Sequence, residues 1–374
     1  LFKLFVFSIY QISIMSEWCT IESDPAVFTE LIQKFGVEGV KVEELFTLED
    51  DAYLHDVKPI YGLIFLFKWS PEQPKSEVQE VFDPELFFSQ QTITNSCATQ
   101  AILSILFNSP EVSLGTNLTE LKSFMGPLDP ASKGMSIDSS EVIKAAHNSF
   151  SRPEPFIYAG KKPATKDDDV FHFVSYVPFN GKLYELDGLQ KGPIMLGECT
   201  EENWLDLAKP VIAERIQKSA QNEIRFNLMA VCASRKAVAE KKISEIKAKK
   251  GFINAKLLSL GADVTMDEEE MADGDPNPED LASLPDAVEE LKALYAQLSS
   301  TGMDYQSEIA EEEAKFRSYA KENARRKHNY IPFILNMLKI LSAKGELKPM
   351  VEQAIKVKKE KEEAKSKEGA EANQ

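Results

Sequence analysis

The dipeptide Asn180-Gly181 restricts the possible folds of this chain more than any other pair of residues. It lies between two strand-like runs, Val170–Val177 and Lys182–Asp187. A two-residue turn of this composition supplies the positive φ angles that match the twist of paired strands. The middle of the chain is therefore committed to an antiparallel hairpin, and its register can be counted. Phe179 faces Lys182, and counting outward Val174 faces Asp187. Side chains alternate between the faces of a strand, so His172 and Val174 share one. Asp187 then lies diagonally across the ladder from His172, about 7–8 Å away on the same face. A carboxylate there can accept from one imidazole nitrogen and leave the other for a thiol. On the hairpin alone a second account is as good: a partly buried strand histidine, and an aspartate that forms a strand-end turn with Gly188.

Around this hairpin, residues 17–235 read as a mixed α/β domain. Pro25 to Phe35 is a helix with Asp24 as N-cap and Gly36 as terminator. Ile60–Trp69 is a continuous apolar run, hence a buried strand. Asn95 to Phe107 reads as a buried helix capped by Asn95, with Leu118–Phe124, Ser139–Phe150 and Glu201–Ile216 as further helices and Ile224–Ala233 as a last strand. Residues 70–80 are a polar loop. Residues 151–169 hold three prolines and three consecutive aspartates, the composition of a mobile surface loop. A loop this long inside a compact domain is often functional.

Cys97 falls in the first turn of its helix, where the positive end of the helix dipole favours the thiolate that nucleophilic attack requires. Gln91, six residues earlier, can offer an N–H to a developing oxyanion alongside the Cys97 backbone N–H. A cysteine in an apolar helix is by itself more simply a packing residue, and the hairpin is what tips the balance. Of the four histidines, His55 lies in an acidic segment, His328 in the charged C-terminal region, and His147 on a helix without a carboxylate partner in sequence. His172 is the base that remains.

Composition bounds the alternatives. The net charge of −17 argues against nucleic acid or an acidic membrane surface as the main partner. The four cysteines are scattered and include no CxxC, so neither a disulfide framework nor a zinc site is expected. No cofactor and no metal are called for, and a reducing compartment, cytosol or nucleus, fits best. Residues 1–14 are apolar but too short to span a bilayer, and they lack a small-residue cleavage site. They read as an upstream extension before Met15-Ser16-Glu17 rather than as a targeting segment.

After Arg235 the character changes. Residues 236–262 form a Lys/Ala/Glu/Ile helix, and residues 267–280 hold eight acids and no base, the mark of a disordered linker. Ala287–Leu298 and Asp304–Arg326 read as two helices. Ile331–Leu341 is apolar nearly all round and must be buried, either within its own helical module or against a partner. The expected organisation is an N-terminal extension (1–15), a catalytic domain (16–235), a helical partner-binding domain (236–355) with an acidic linker (263–282), and a Lys/Glu-rich tail (356–374).

The stretch Gln91-Thr-Ile-Thr-Asn-Ser-Cys97-Ala-Thr-Gln-Ala resembles the active-site signature of the ubiquitin carboxyl-terminal hydrolases, thiol peptidases with a papain-like triad. Phe171-His172-Phe173-Val174 and Leu183-Tyr184-Glu185-Leu186-Asp187-Gly188 resemble that family's His and Asp segments, in the right order. Asn329-Tyr-Ile-Pro-Phe-Ile and the Lys/Glu-rich end resemble its long members. The resemblance implies an α/β (α+β) catalytic domain, papain-like, with an antiparallel sheet flanked by helices and a knotted backbone, followed by an all-α C-terminal extension. It implies that Cys97 is the nucleophile, His172 the general base and acid, Asp187 the residue that orients His172, and Gln91 the oxyanion stabiliser. The substrate would be the C-terminal glycine of ubiquitin, its tail passing beneath a crossover loop at about 152–169. By the same resemblance the C-terminal helices bind a proteasomal ubiquitin receptor and a chromatin-remodelling subunit, and the protein acts in cytoplasm and nucleus. A non-catalytic ubiquitin or proteasome adaptor is the alternative, although an adaptor has no need of a matched Cys, His, Asp and Gln.

Overall fold

The computed structural model describes residues 18–69, 77–151, 171–220, 226–262 and 284–371. The N-terminal extension, the loop at 152–169, the acidic linker and most of the polar loop at 70–80 lie outside the described residues.

The hairpin forms as counted. Asn180 and Gly181 take φ angles of 46° and 75°, and Phe179 pairs with Lys182. Its strands are β3 (Phe171–Phe179) and β4 (Lys182–Leu186). The apolar run becomes β2 (Ile60–Lys68), paired on one side with β3 and on the other with β6 (Asn227–Ala233). Two five-residue strands close the edges, β1 (Val40–Glu44) and β5 (Ile194–Glu198). The order is β1-β6-β2-β3-β4-β5, with each neighbouring pair antiparallel. Neither edge strand stands out in the sequence, because five residues, VKVEE or IMLGE, are too few to establish a pattern.

Each face of the sheet is covered. On one lie α1 (Pro25–Lys34), α3 (Cys97–Asn108), α4 (Gly115–Met125), α5 (Pro130–Ser139) and α6 (Glu141–Asn148), packed on Val42, Ile64, Val177 and Val231. On the other lie α2 (Asp51–Val57) and α7 (Trp204–Ala220), packed on Leu63, Phe65, Val174 and Tyr176. Adjacent residues of β2 thus serve opposite cores, which is why that strand reads as continuously apolar. Asp24 caps α1 by accepting from Ala26 N, and Gly36 at φ 89° ends it, both as expected. Gly62 lets α3 lie close on the sheet. A Cβ there would come within 2.8 Å of Ile105 Cγ1 and 2.9 Å of the Tyr176 carbonyl oxygen.

Beyond the sheet, α8 (Arg235–Ser259) packs Ile253 and Leu257 on Leu291 of α9 (Val288–Lys327). The two helices expected at 287–298 and 304–326 are one. Ser299–Gly302 contains no proline, and the roughly 1 kcal/mol cost of one interior glycine does not break a helix packed along its length. A buried polar cluster fastens α9 to edge strand β1. Glu312, only 3% exposed, lies 2.9 Å from Lys41 Nζ and accepts from Arg235 N at 3.1 Å. Lys315 reaches Glu43, and Asn323 Nδ2 donates to Ala26 O at 2.8 Å.

Residues from Arg325 onward form a separate compact unit, a helical hairpin of α10 (Ile331–Ala343) and α11 (Leu347–Glu371) turning at Gly345. The helical hairpin by itself does not bury α10. None of its residues is buried, and Phe333 is 63% exposed. Among the described residues, no helix is long and apolar enough to cross a membrane.

Truncating one member of a buried ion pair leaves an uncompensated charge, at a cost of about 3–5 kcal/mol. Glu312→Ala should therefore destabilise the fold by about 3 kcal/mol, read from urea unfolding. A midpoint within error of the unsubstituted protein would show that α9 is not held by this pair.

Candidate active site

The site assembles at the end of β3 where His172 emerges, beside the turn that follows β4. His172 Nε2 and Asp187 Oδ1 are 2.6 Å apart, and both side chains are buried. The regular ladder stops at Ser175–Leu186, one pair short of Asp187. The carboxylate is pinned by its own turn: Leu189 N donates to Oδ1 at 2.9 Å and Gln190 Nε2 to Oδ2 at 3.3 Å. Phe67 meets the imidazole edge-on at 6.0 Å, and the Arg215 guanidinium lies over Phe67 at 4.9 Å while pairing with Glu185 at 2.8 Å. The ring of His172 therefore has one place to sit.

Cys97 is the first residue of α3 and is partly exposed. With Nε2 of His172 engaged by Asp187, Nδ1 is the nitrogen left for the thiol, and Cys97 acts on His172 both as a hydrogen-bond and as a charge partner. Burial is the largest single influence on the imidazole and disfavours its charge. The hydrogen bonds and charges of Asp187 and Cys97 together outweigh it and raise His172 to about 9. For Asp187 burial acts upward, but the bond and charge of His172, with the Leu189 and Gln190 donors, bring the carboxyl below its ordinary range.

Asn95 is not the cap of α3. Ser96 holds that place and makes no side-chain cap bond, while Asn95 takes a left-handed φ of 71° and donates from Nδ2 to Trp18 O at 3.0 Å. Asparagine is one of the few residues that adopts this conformation readily. The consequence is chemical. The first-turn N–H groups of α3, Cys97's included, carry no capping side chain and remain available to an incoming oxygen.

Gln91 faces the same small cavity as Cys97 and His172, lined also by Gln100, Ala101 and Gly188. Its Nε2 donates to Ile93 O at 2.9 Å, which leaves one amide N–H, and its buried Oε1 has no partner among the described residues. Two residues near the cavity were not anticipated. Gln100 donates from Nε2 to Gln90 O at 3.1 Å, and Gly188 O accepts from Gln91 N at 2.7 Å. A Cβ at Gly188 would come within 2.5 Å of Gln100 Oε1 and 3.2 Å of Gln91 N. The Asp-Gly pair signalled a turn, but no periodicity signals what a turn will press against.

The remaining candidates have structural roles. His147 is fully buried between Thr99 Oγ1 at 2.8 Å and Cys19 O at 2.7 Å, and burial pushes it down to about 4, so it is neutral. Burial pushes Cys19 up to about 11 and Cys232 up to about 12. Among the described residues, no group of three His, Cys, Asp or Glu side chains is placed to hold a metal.

The model of the family described as ubiquitin carboxyl-terminal hydrolase, family 1, matches residues 18–217, and a second, ubiquitin carboxyl-terminal hydrolases, matches 303–347. The chain is 45% identical over 337 residues to ubiquitin carboxyl-terminal hydrolase isozyme L5 of Dictyostelium discoideum, covering 90% of this chain and 95% of that one. It is 38% identical over 349 residues to ubiquitin carboxyl-terminal hydrolase ubh-4 of Caenorhabditis elegans, covering 92% and 93%. It is also similar to the crystal structure of Trichinella spiralis UCH37 bound to ubiquitin vinyl methyl ester, with a TM-score of 0.51 and 36% identity over 77% of this chain and 99% of that one.

Because the pKa of His172 is raised on folding, its contribution to stability is complete below about 6.5 and is lost as pH climbs through about 9. That of Asp187, whose pKa is lowered, is present above its ordinary range and lost in acid. Asp187→Asn should therefore cost most between about pH 4 and 6.5, on the order of 2 kcal/mol, with the deficit shrinking toward pH 9. Chemical denaturation across that range measures it, and a deficit independent of pH would mean the two groups are not coupled. Gly188→Ala should lower turnover more than stability, because the added methyl displaces Gln91 and Gln100 rather than the core.

Proposed function

Since the chain belongs to the ubiquitin carboxyl-terminal hydrolase family, and is a cysteine hydrolase, we propose that it cleaves amide and isopeptide bonds at the C-terminal glycine of ubiquitin, with Cys97 as nucleophile. The single observation that carries the assignment of residues is the 2.6 Å bond between His172 and Asp187 beside Cys97 at the open end of α3. His172 takes the thiol proton through Nδ1, and the imidazolium is stabilised by Asp187. The Cys97 sulfur attacks the glycine carbonyl carbon. Charge moves to the carbonyl oxygen, which the Cys97 N–H and the remaining N–H of Gln91 receive. Collapse of the tetrahedral species expels the amine, which leaves with the proton held by His172. Water, deprotonated by the same imidazole, then hydrolyses the thioester and frees the thiol.

The second part of the proposal concerns the C-terminal helices. We infer that α10 docks a partner, a proteasomal ubiquitin receptor first and a chromatin-remodelling subunit second, and that this contact regulates turnover. Exposure of Phe333, Ile334 and Leu335 supports it, since a face this apolar is stable in water chiefly when it is covered. Proteasome association would place the protein in cytoplasm and nucleus.

A ubiquitin carrying a C-terminal vinyl methyl ester should form an adduct that Cys97→Ala abolishes. No adduct with the unsubstituted protein would point to an adaptor instead. In a ubiquitin-amide reporter assay, Gln91→Ala should lower kcat by about 10²–10³, the cost of one oxyanion donor. Leu335→Glu should abolish receptor binding and any receptor-dependent change in rate while leaving basal turnover intact. Undiminished binding by that variant would remove α10 as the docking element.

A further inference from the structure

Residues 90–96 carry Gln91 and lead into Cys97, yet none belongs to a helix or a strand. Their position depends on what holds them. Gln90 N donates to Pro130 O at 2.9 Å, Gln90 O accepts from Gln100, and Gln91 N donates to Gly188 O. Helix α5 lies so close beneath that a Cβ at Gly134 would fall on the Gln90 carbonyl oxygen.

One turn further along α5, on the same face, is Asp138. It is buried, and Thr92 Oγ1 donates to its Oδ2. Burial is the strongest influence on it and raises the carboxyl above its ordinary range, against the Thr92 bond and the nearby loop dipoles that favour its charge. Oδ1 is buried with no hydrogen-bond partner among the described residues. A carboxylate here gains nothing from its own helix, because it lies in the last turn, where the dipole repels negative charge. The benefit falls on the loop. Ile93, which follows the anchored Thr92, offers its carbonyl to both Gln91 Nε2 and Ser96 Oγ, each at 2.9 Å. That carbonyl sets the plane of the Gln91 amide.

We propose that Asp138 is a positioning residue for the hydrolase reaction: from α5 it fixes the Thr92–Ser96 loop, and through Ile93 it aims the remaining N–H of Gln91 at the oxyanion. This rests on the role given above to Gln91. Asp138 itself touches no reacting group, so its effect must pass through Gln91 and belong to the transition state.

A double-mutant cycle on the full chain tests it, with kcat and KM from the ubiquitin-amide reporter and thermal unfolding alongside. Asp138→Ala and Thr92→Val should each lower kcat roughly tenfold with KM within about twofold. In a Gln91→Ala background the same changes should cost less than about twofold, because the group they aim is gone. Asp138→Asn keeps an acceptor for Thr92 and should recover most of the rate. Equal losses in both backgrounds would overturn the proposal, as would a KM that rises in step or an unchanged kcat in the folded variants. If Asp138→Ala fails to fold, Thr92→Val carries the comparison. Absence of turnover by the unsubstituted protein would instead overturn the reading of the site, which keeps the two failures apart.

Discussion

Helix α3 reaches the sheet only because residue 62 has no side chain. Ile105 occupies the space where a Cβ would stand, and the Tyr176 carbonyl closes the other side. This contact sets the height of α3 above β2 and β3 and, through a rigid helix, the place of its first residue. Cys97 then comes to the end of β3, where His172 is, without any strand or loop having to move. A cysteine one or two ångströms away would still pack against the same core and would still begin the same helix. It would not share a proton with an imidazole.

Polar atoms are buried in this protein where separate elements must meet in one geometry. His172 and Asp187 are joined by a hairpin, so their bond is short-range and its geometry is inherited from the turn. Lys41 and Glu312 are separated by most of the chain, and their bond decides where a 40-residue helix lies. Asp138 and Thr92 join a helix to a loop that has no regular structure. An apolar contact could supply comparable stability in each case, but apolar contacts tolerate sliding. A directional bond between buried groups does not, because misalignment leaves a desolvated partner unpaired.

Legibility in the sequence followed the range of the forces involved. The hairpin and its register, the Asp24 cap and the Gly36 terminator were readable, since each depends on residues a few positions apart. So was the pairing of His172 with Asp187. Asn95 does not cap α3 because asparagine suits both an N-cap and the left-handed conformation, and contact with Trp18 selects the left-handed one. Strands β1 and β5 were invisible because five residues are too few for a pattern to stand out. The single helix α9 was read as two because a local dip in propensity looks like a break until packing is known.

For function, residue types and their order pointed to Cys97, His172, Asp187 and Gln91, and a family resemblance gave those residues their roles. Chemistry at a chosen residue type is a local property, so it survives in one dimension. Gln100, Gly188 and Asp138 could not be found that way, because each matters through what it touches from a distant place in the chain. The exposure of α10 is the same lesson reversed. A sequence can show that a helix is apolar nearly all round, but whether its own helical hairpin buries it is decided by neighbours that the sequence does not order in space.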